Sequence, residues 1–161
     1  MIPASDDLLI LGAYNSIWRM TGDPLDGGQL DRVSDSIGMA FGQAWCKSPD
    51  GVIFFFGLNE PGLYVISPGG EIRNVSLNTL EETDFETIDF DLYNLKLFWN
   101  PIDRGVHIFL CPRTSSSAQP TKHWFWEEKR AGFVKHPPVW PDTFESNDHT
   151  PMGACSSGRC W

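Results

Sequence analysis

Trp45–Tyr64 reads WCKSPDGVIFFFGLNEPGLY, and Trp99–Leu110 reads WNPIDRGVHIFL. Each stretch opens on Trp, reaches a Gly-Val pair six and seven residues later, and runs into an apolar strand. Aligned, Trp45 falls on Trp99, Gly51 on Gly105, Val52 on Val106 and Phe55 on Phe109, 54 positions apart in each case. A chain that repeats a strand–turn–strand sentence at such a period is read first as a repeat architecture.

Working outward, each copy continues with a second aromatic strand. The first is Gly62–Ser67 (GLYVIS); the other is Lys122–Glu127 (KHWFWE), delayed by the polar insert Arg113–Gln119 (RTSSSAQ). Each then turns, at Pro68-Gly69-Gly70 and at Glu128–Gly132, into a further strand, EIRNVSL and FVKH. A partial copy stands at the N-terminus: LLILGA (Leu8–Ala13) matches the second strand, SIWRMT (Ser16–Thr21) the third, and Leu30–Ser34 supplies a fourth. Units therefore recur at roughly 45 to 55 residues, the range of propeller blades.

One four-stranded sheet cannot bury both of its faces, whereas sheets stacked about an axis can. Runs such as VIFFFG and GLYVIS are continuously apolar, as strands covered on both sides require. The sequence thus predicts an all-β fold, a partial β-propeller with two full four-stranded blades and part of a third. Residues 1–140 form the propeller part, with units at 6–34, 43–77 and 96–136. An acidic linker spans 78–95, and 141–161 is a polar tail or an unfinished next unit. The N-terminal unit is expected to lack its first strand. In the linker, Leu77, Leu80, Phe85, Ile88, Leu92 and Leu95 fall near helical spacing, while Thr87–Tyr93 also alternates as a strand does. A closed propeller needs more blades than this chain supplies. It is therefore expected to be a piece of a longer protein, ahead of closure by self-assembly or an open stack.

Composition narrows the function classes. The 161 residues suit one domain, with 41% hydrophobic and 20% charged residues, enough to bury a core. A net charge of −9 repels phosphate backbones and anionic bilayers, so neither nucleic acid nor membrane is an expected partner. No signal peptide or membrane-spanning run is read from the sequence. Cys46 and Cys111 lie in apolar strands and read as buried free thiols.

Candidate chemistry is sparse, and no catalytic residue, cofactor or metal ligand is assigned. Ser48-Pro49-Asp50-Gly51 reads as a structural turn in which Asp50 accepts backbone N–H groups and Gly51 supplies the bend. The adjacent acids Glu81-Glu82 and Glu127-Glu128 would have to converge to serve glycoside hydrolysis, yet neighbours on a strand point to opposite faces. His149, Cys155 and Cys160 read H-x5-C-x4-C, one ligand short of zinc, with a Cys155–Cys160 disulfide open to an oxidant. His107 reads as a satisfied core or rim histidine. Trp124 and Trp126 share a strand face and, with Trp140, are the candidate aromatic contact surface, for a glycan or a protein. The other reading of that face is core between blades.

The line DDLLILGAYNSIWRMTG (Asp6–Gly22), Ile37-Gly38, AWCKSPDGVIFFFG (Ala44–Gly57) and GLYVISPGG (Gly62–Gly70) resembles a structural β-propeller family of tailed bacteriophages. GVHIFL (Gly105–Leu110), KHWFWEEKRAGF (Lys122–Phe133) and NDHTP (Asn147–Pro151) are similar to blades of the same group. The likeness covers most of Asp6–Pro151 and departs from it after Pro151. It implies a virion component near the neck or tail; the expected location is the virion or the cytoplasm. Such a component works by contact with other protein subunits or with its missing blades. It brings no catalytic residues. The competing readings are a propeller glycoside hydrolase and a non-catalytic glycan-binding module using exposed Trp.

Overall fold

Twelve strands make up the described part of the chain, a computed structural model in which residues 1–23, 25–77, 85, 88–113 and 120–136 are described, the side chains of 135 and 136 excepted. They form three four-stranded antiparallel sheets, each a simple meander in chain order. Sheet 1 is β1 (Ile2–Ser5), β2 (Leu8–Gly12), β3 (Ile17–Thr21) and β4 (Gln29–Ser34). Sheet 2 is β5 (Trp45–Lys47), β6 (Ile53–Gly57), β7 (Gly62–Ile66) and β8 (Ile72–Asn74). Sheet 3 is β9 (Tyr93–Asn100), β10 (Gly105–Pro112), β11 (Lys122–Glu127) and β12 (Gly132–His136).

The all-β expectation holds, and the strand content is fuller than the sequence suggested. The first unit is not a partial copy: Ile2–Ser5 pairs with β2 through Ile2↔Ile10 and Pro3↔Leu9, with a bulge before Ser5↔Leu8. IPAS is short and carries a Pro, which is tolerated because β1 is an edge strand. β9 likewise begins at Tyr93, inside the stretch read as linker, after a turn held by Tyr93 N–H donating to Asp89 O at 3.0 Å.

The sheets stack in the order 1–2–3 because sheet 2 is apolar on both faces. Every residue of β6 and β7 is buried. One face of sheet 2, with Ile53, Phe55, Tyr64 and Ile66, packs with Ile2, Ile10 and Ile17 of sheet 1 and with Met39. The opposite face, with Cys46, Phe54, Phe56, Leu63 and Val65, packs with Leu95, Leu97, Trp99, Val106, Ile108, Leu110, Trp124 and Trp126 of sheet 3. Alternation along a strand assigns the odd and even positions of IFFFG to different neighbours.

The first strands of sheets 2 and 3 lie closest together. The main approach of sheet 3 to sheet 2 is β9 against β5, and Leu97 N–H donates to Gln43 O at 2.9 Å just ahead of β5. Lys47 of β5 donates through Nζ to Ala4 O of β1.

The 54-residue match does not survive as equivalence of faces. Val52 and Val106 meet in the same layer from opposing sheets, while Phe55 faces sheet 1 and Phe109 lies on the far side of sheet 3. The turns differ by one residue. Ser48 N–H donates to Val52 O at 2.8 Å, leaving residues 49–51 in the loop, whereas Asn100 opposes Gly105 and leaves 101–104. A one-residue slip turns every following side chain to the other face.

Candidate functional site

Four groupings of side chains carry whatever chemistry the described residues offer. The first is the aromatic layer between sheets 2 and 3. Phe54 stacks on Trp99 (centroids 5.4 Å apart, planes at 22°) and tilts against Trp126 at 5.4 Å. Phe85, from the acidic segment, meets Phe56 at 5.0 Å and Trp124 at 5.2 Å, both edge-on. Trp124 and Trp126 are therefore core, 2% and 5% exposed, and cannot offer their rings to a ligand. The reason is the face they share, which is the one sheet 2 covers. Trp140, Glu81, Glu82, His149, Cys155 and Cys160 lie outside the described residues.

The second grouping is a polar chain on the far face of sheet 3 that runs from the exposed turn after β9 to a buried histidine pair. Asn100 Oδ1 accepts from the backbone N–H groups of Ile102 (2.9 Å) and Asp103 (3.2 Å). That orients its amide so that Nδ2 donates to Asp103 Oδ2 (2.9 Å) and to His107 Nε2 (3.2 Å). With Nε2 an acceptor, His107 Nδ1–H donates to His123 Nε2 at 2.8 Å. His123 stacks on Phe109 at 4.2 Å, and Phe125 lies 4.5 Å from His107. His107 is the satisfied core histidine the sequence suggested. Its partner was not foreseen, because His123 sits diagonally across the ladder, where Phe109 opposes it and Phe125 opposes His107.

The third grouping lies at the turn end. Arg104 Nε donates to Glu128 Oε2 at 2.9 Å and Nη2 to Asp50 Oδ2 at 3.2 Å. Asp50 and Arg104 occupy corresponding turns of sheets 2 and 3, so one charge pair ties the two rims. Glu127 pairs separately with Arg130 at 3.4 Å. The adjacent acids Glu127 and Glu128 thus engage different partners rather than one site. In the S-P-D-G turn, the backbone N–H of Val52 finds the Ser48 hydroxyl (3.2 Å) rather than Asp50, and Gly51 takes φ +82°. Ser67-Pro68-Gly69-Gly70 repeats the device: Glu71 N–H donates to Ser67 Oγ at 3.2 Å and Gly70 takes φ +87°. The repeated S-P-x-G was visible in the sequence as a signal for two like turns.

The fourth is the outward face of sheet 1. The registers Leu9↔Met20↔Leu30 and Leu11↔Trp18↔Arg32 place these residues on the side away from sheet 2. Leu9, Leu11, Trp18 and Met20 are half-buried, Leu30 is 53% exposed, and the Arg32 guanidinium lies 4.6 Å from the Trp18 ring centre.

Titratable groups in the core follow burial. Cys46 and Cys111 are buried and free, and burial pushes both thiols up, Lys96 partly offsetting it at Cys111. Tyr64 is pushed up to about 12, first by burial and then by Glu60, whose Oε2 accepts the phenol hydrogen at 3.3 Å. Among the described residues no three His, Cys, Asp or Glu side chains gather as a metal site. No described helix is long and apolar enough to cross a membrane. No protein-family model matches the chain, and no curated protein matches its sequence.

Proposed function

We propose that this chain is a segment of a β-propeller that acts by contact, a structural, protein-binding component of a tailed-phage virion near the neck or tail. One observation carries the reading. The faces of sheets 2 and 3 that look back along the chain are covered by the preceding sheet, while the corresponding face of sheet 1 presents Leu9, Leu11, Trp18, Met20 and Leu30. Meandering four-stranded sheets stacked face to face in chain order bury such faces by adding further sheets about an axis. The partners are then the missing blades or other protein subunits. The phage assignment rests on the sequence resemblance, and the net charge of −9 agrees with a protein rather than a nucleic-acid partner.

The glycan readings gain no support from placement, since Trp124 and Trp126 are core and Glu127 and Glu128 engage separate arginines. Immuno-electron microscopy on purified particles from the source culture, with antibody raised against the chain, tests the proposal. Label at the neck or tail is expected. Abundant protein in the lysate with none in the particles overturns it.

A further inference from the structure

The two end sheets of the stack differ on their outer faces. On the outward face of sheet 1, Trp18 and Met20 are half-buried and Leu30 is 53% exposed. On the far face of sheet 3 the register sets Phe98, His107 and Phe125 in one row and Lys96, Phe109 and His123 in the next, with Cys111 beyond. There Phe109 is 0% exposed, Cys111 3%, His123 4%, His107 7%, and Phe98 and Phe125 8%. Neighbours within a sheet lie beside a ring rather than over it, so strand pairing alone does not bury a face this far. Each of the five rings has a further interaction partner. Yet among the described residues the apolar cluster on this face is Phe98, Phe109 and Cys111, with no member from sheets 1 or 2.

The cover therefore comes from the rest of the chain, and the sequence narrows it. Residues 78–84 and 86–87 flank Phe85, whose ring meets Trp124 on the opposite side of sheet 3. Residues 114–119 (TSSSAQ) carry no large apolar side chain. They join β10 to β11 at the Cys111 end, roughly 13 Å along the strand from the row of Phe98. Residues 137–161 follow β12, whose last register pair, His123↔His136, lies in the row of Phe109. Val139, Trp140 and Phe144 come early in that segment. A few extended residues cross the roughly 10 Å from β12 to β10.

We propose that residues 137–161 fold back over the far face of sheet 3 and cap the stack there. Val139, Trp140 and Phe144 supply the apolar underside, and the Asp, Glu, Ser and Asn residues that follow suit the outer side. Stacked arrays need such a cap at an end, apolar within and polar without. Trp140 is then a lid on Phe109 and Phe125 rather than a surface for a ligand. A further sheet can join at this end only by displacing the segment, so assembly is directed to the open face of sheet 1. The cap does not depend on the phage reading and stands or falls separately.

The test is nuclear Overhauser spectroscopy on the whole chain with labelled aromatic side chains. Contacts from the ring protons of Phe109 or Phe125 to the Trp140 indole or the Phe144 ring are expected. Contacts from that face only to residues 114–119, or only within sheet 3, overturn the proposal. Thiol chemistry gives a second readout, in a Cys155→Ser/Cys160→Ser background where Cys46 and Cys111 alone report. Both are expected to react slowly with a soluble disulfide reagent. Adding Trp140→Ser and Phe144→Ser is expected to make Cys111 react many-fold faster while Cys46, between sheets 2 and 3, stays slow. An unchanged Cys111 rate in that variant overturns the proposal. Should both thiols become fast, the variant has unfolded, and the contacts measured on the unaltered chain decide.

Discussion

The two inter-sheet layers have the same strand order on either side and differ in what fills them. Between sheets 2 and 3, Phe54, Phe56, Phe85, Trp99, Trp124 and Trp126 interlock, and Arg104 ties the rim through Asp50 and Glu128. Between sheets 1 and 2 the filling is mainly isoleucine with Met39, the aromatics Phe55 and Tyr64 coming from sheet 2 alone, and a cleft is left. The charge pattern differs as well. The turn of sheet 1 that corresponds to those holding Asp50 and Arg104 carries Asp6 and Asp7, which cannot pair with Asp50. The lesson is that topology fixes which faces meet, while side-chain volume and rim charge decide how closely they meet.

That contrast can be broken most strongly at its two tightest points. Phe54→Ala removes a ring buried between Trp99 and Trp126 and is expected to cost about 3–5 kcal/mol, read as a lowered midpoint in urea. Gly38→Ala attacks the other layer through the backbone. Its Cβ would stand 1.7 Å from Tyr14 O, in the connector whose Met39 N–H donates to Ala13 O and whose Gly38 O accepts from Leu58 N–H. A loss of about 3 kcal/mol or more is expected from such overpacking, at the upper end of its usual range. A smaller effect sharpens the comparison. Ala4→Val adds volume to the cleft and is expected to be neutral or to stabilise by about 0.5–1 kcal/mol, as cavity filling does. A large loss in the same urea measurement would mean the layer is already full.

The smallest effects concern charge. Arg104→Met is expected to lower the thermal midpoint only slightly and to lose even that difference in high salt, because exposed pairs are screened. Tyr64 is expected to ionise at about 12 in an ultraviolet titration. Its folded state favours the neutral phenol, so its contribution is complete below the unfolded value of about 10 and is lost as pH rises to about 12. Ionisation of all three tyrosines together near the ordinary value would place Tyr64 outside the core.

Much of this architecture was legible in the chain because strands buried on both faces write themselves as continuous apolar runs. IFFFG, GLYVI and KHWFWE read as central strands for that reason, whereas LLILG and IWRMT, covered on one face only, were found by their match to the second and third strands of the repeated unit. What escaped detection was set by single residues. IPAS is too short and too polar to stand out until its pairing with LLILG is seen. The turns after Lys47 and Asn100 differ by one residue, so a match that looked like repetition put Val52 and Val106 on facing sheets. The choice between the two readings of the Trp face was out of reach for a related reason: sequence shows that Trp124 and Trp126 share a face, but only the stacking order shows that sheet 2 covers it.

The account rests on Phe54 and Phe55 looking in opposite directions. Nuclear Overhauser spectroscopy on the chain with labelled aromatic and isoleucine side chains tests it directly. Phe54 ring protons are predicted to show contacts to the indoles of Trp99 and Trp126, and Phe55 to Tyr64 and the methyls of Ile10 and Ile17. Contacts from Phe55 to Trp99, with Phe54 among the isoleucines of sheet 1, would contradict it.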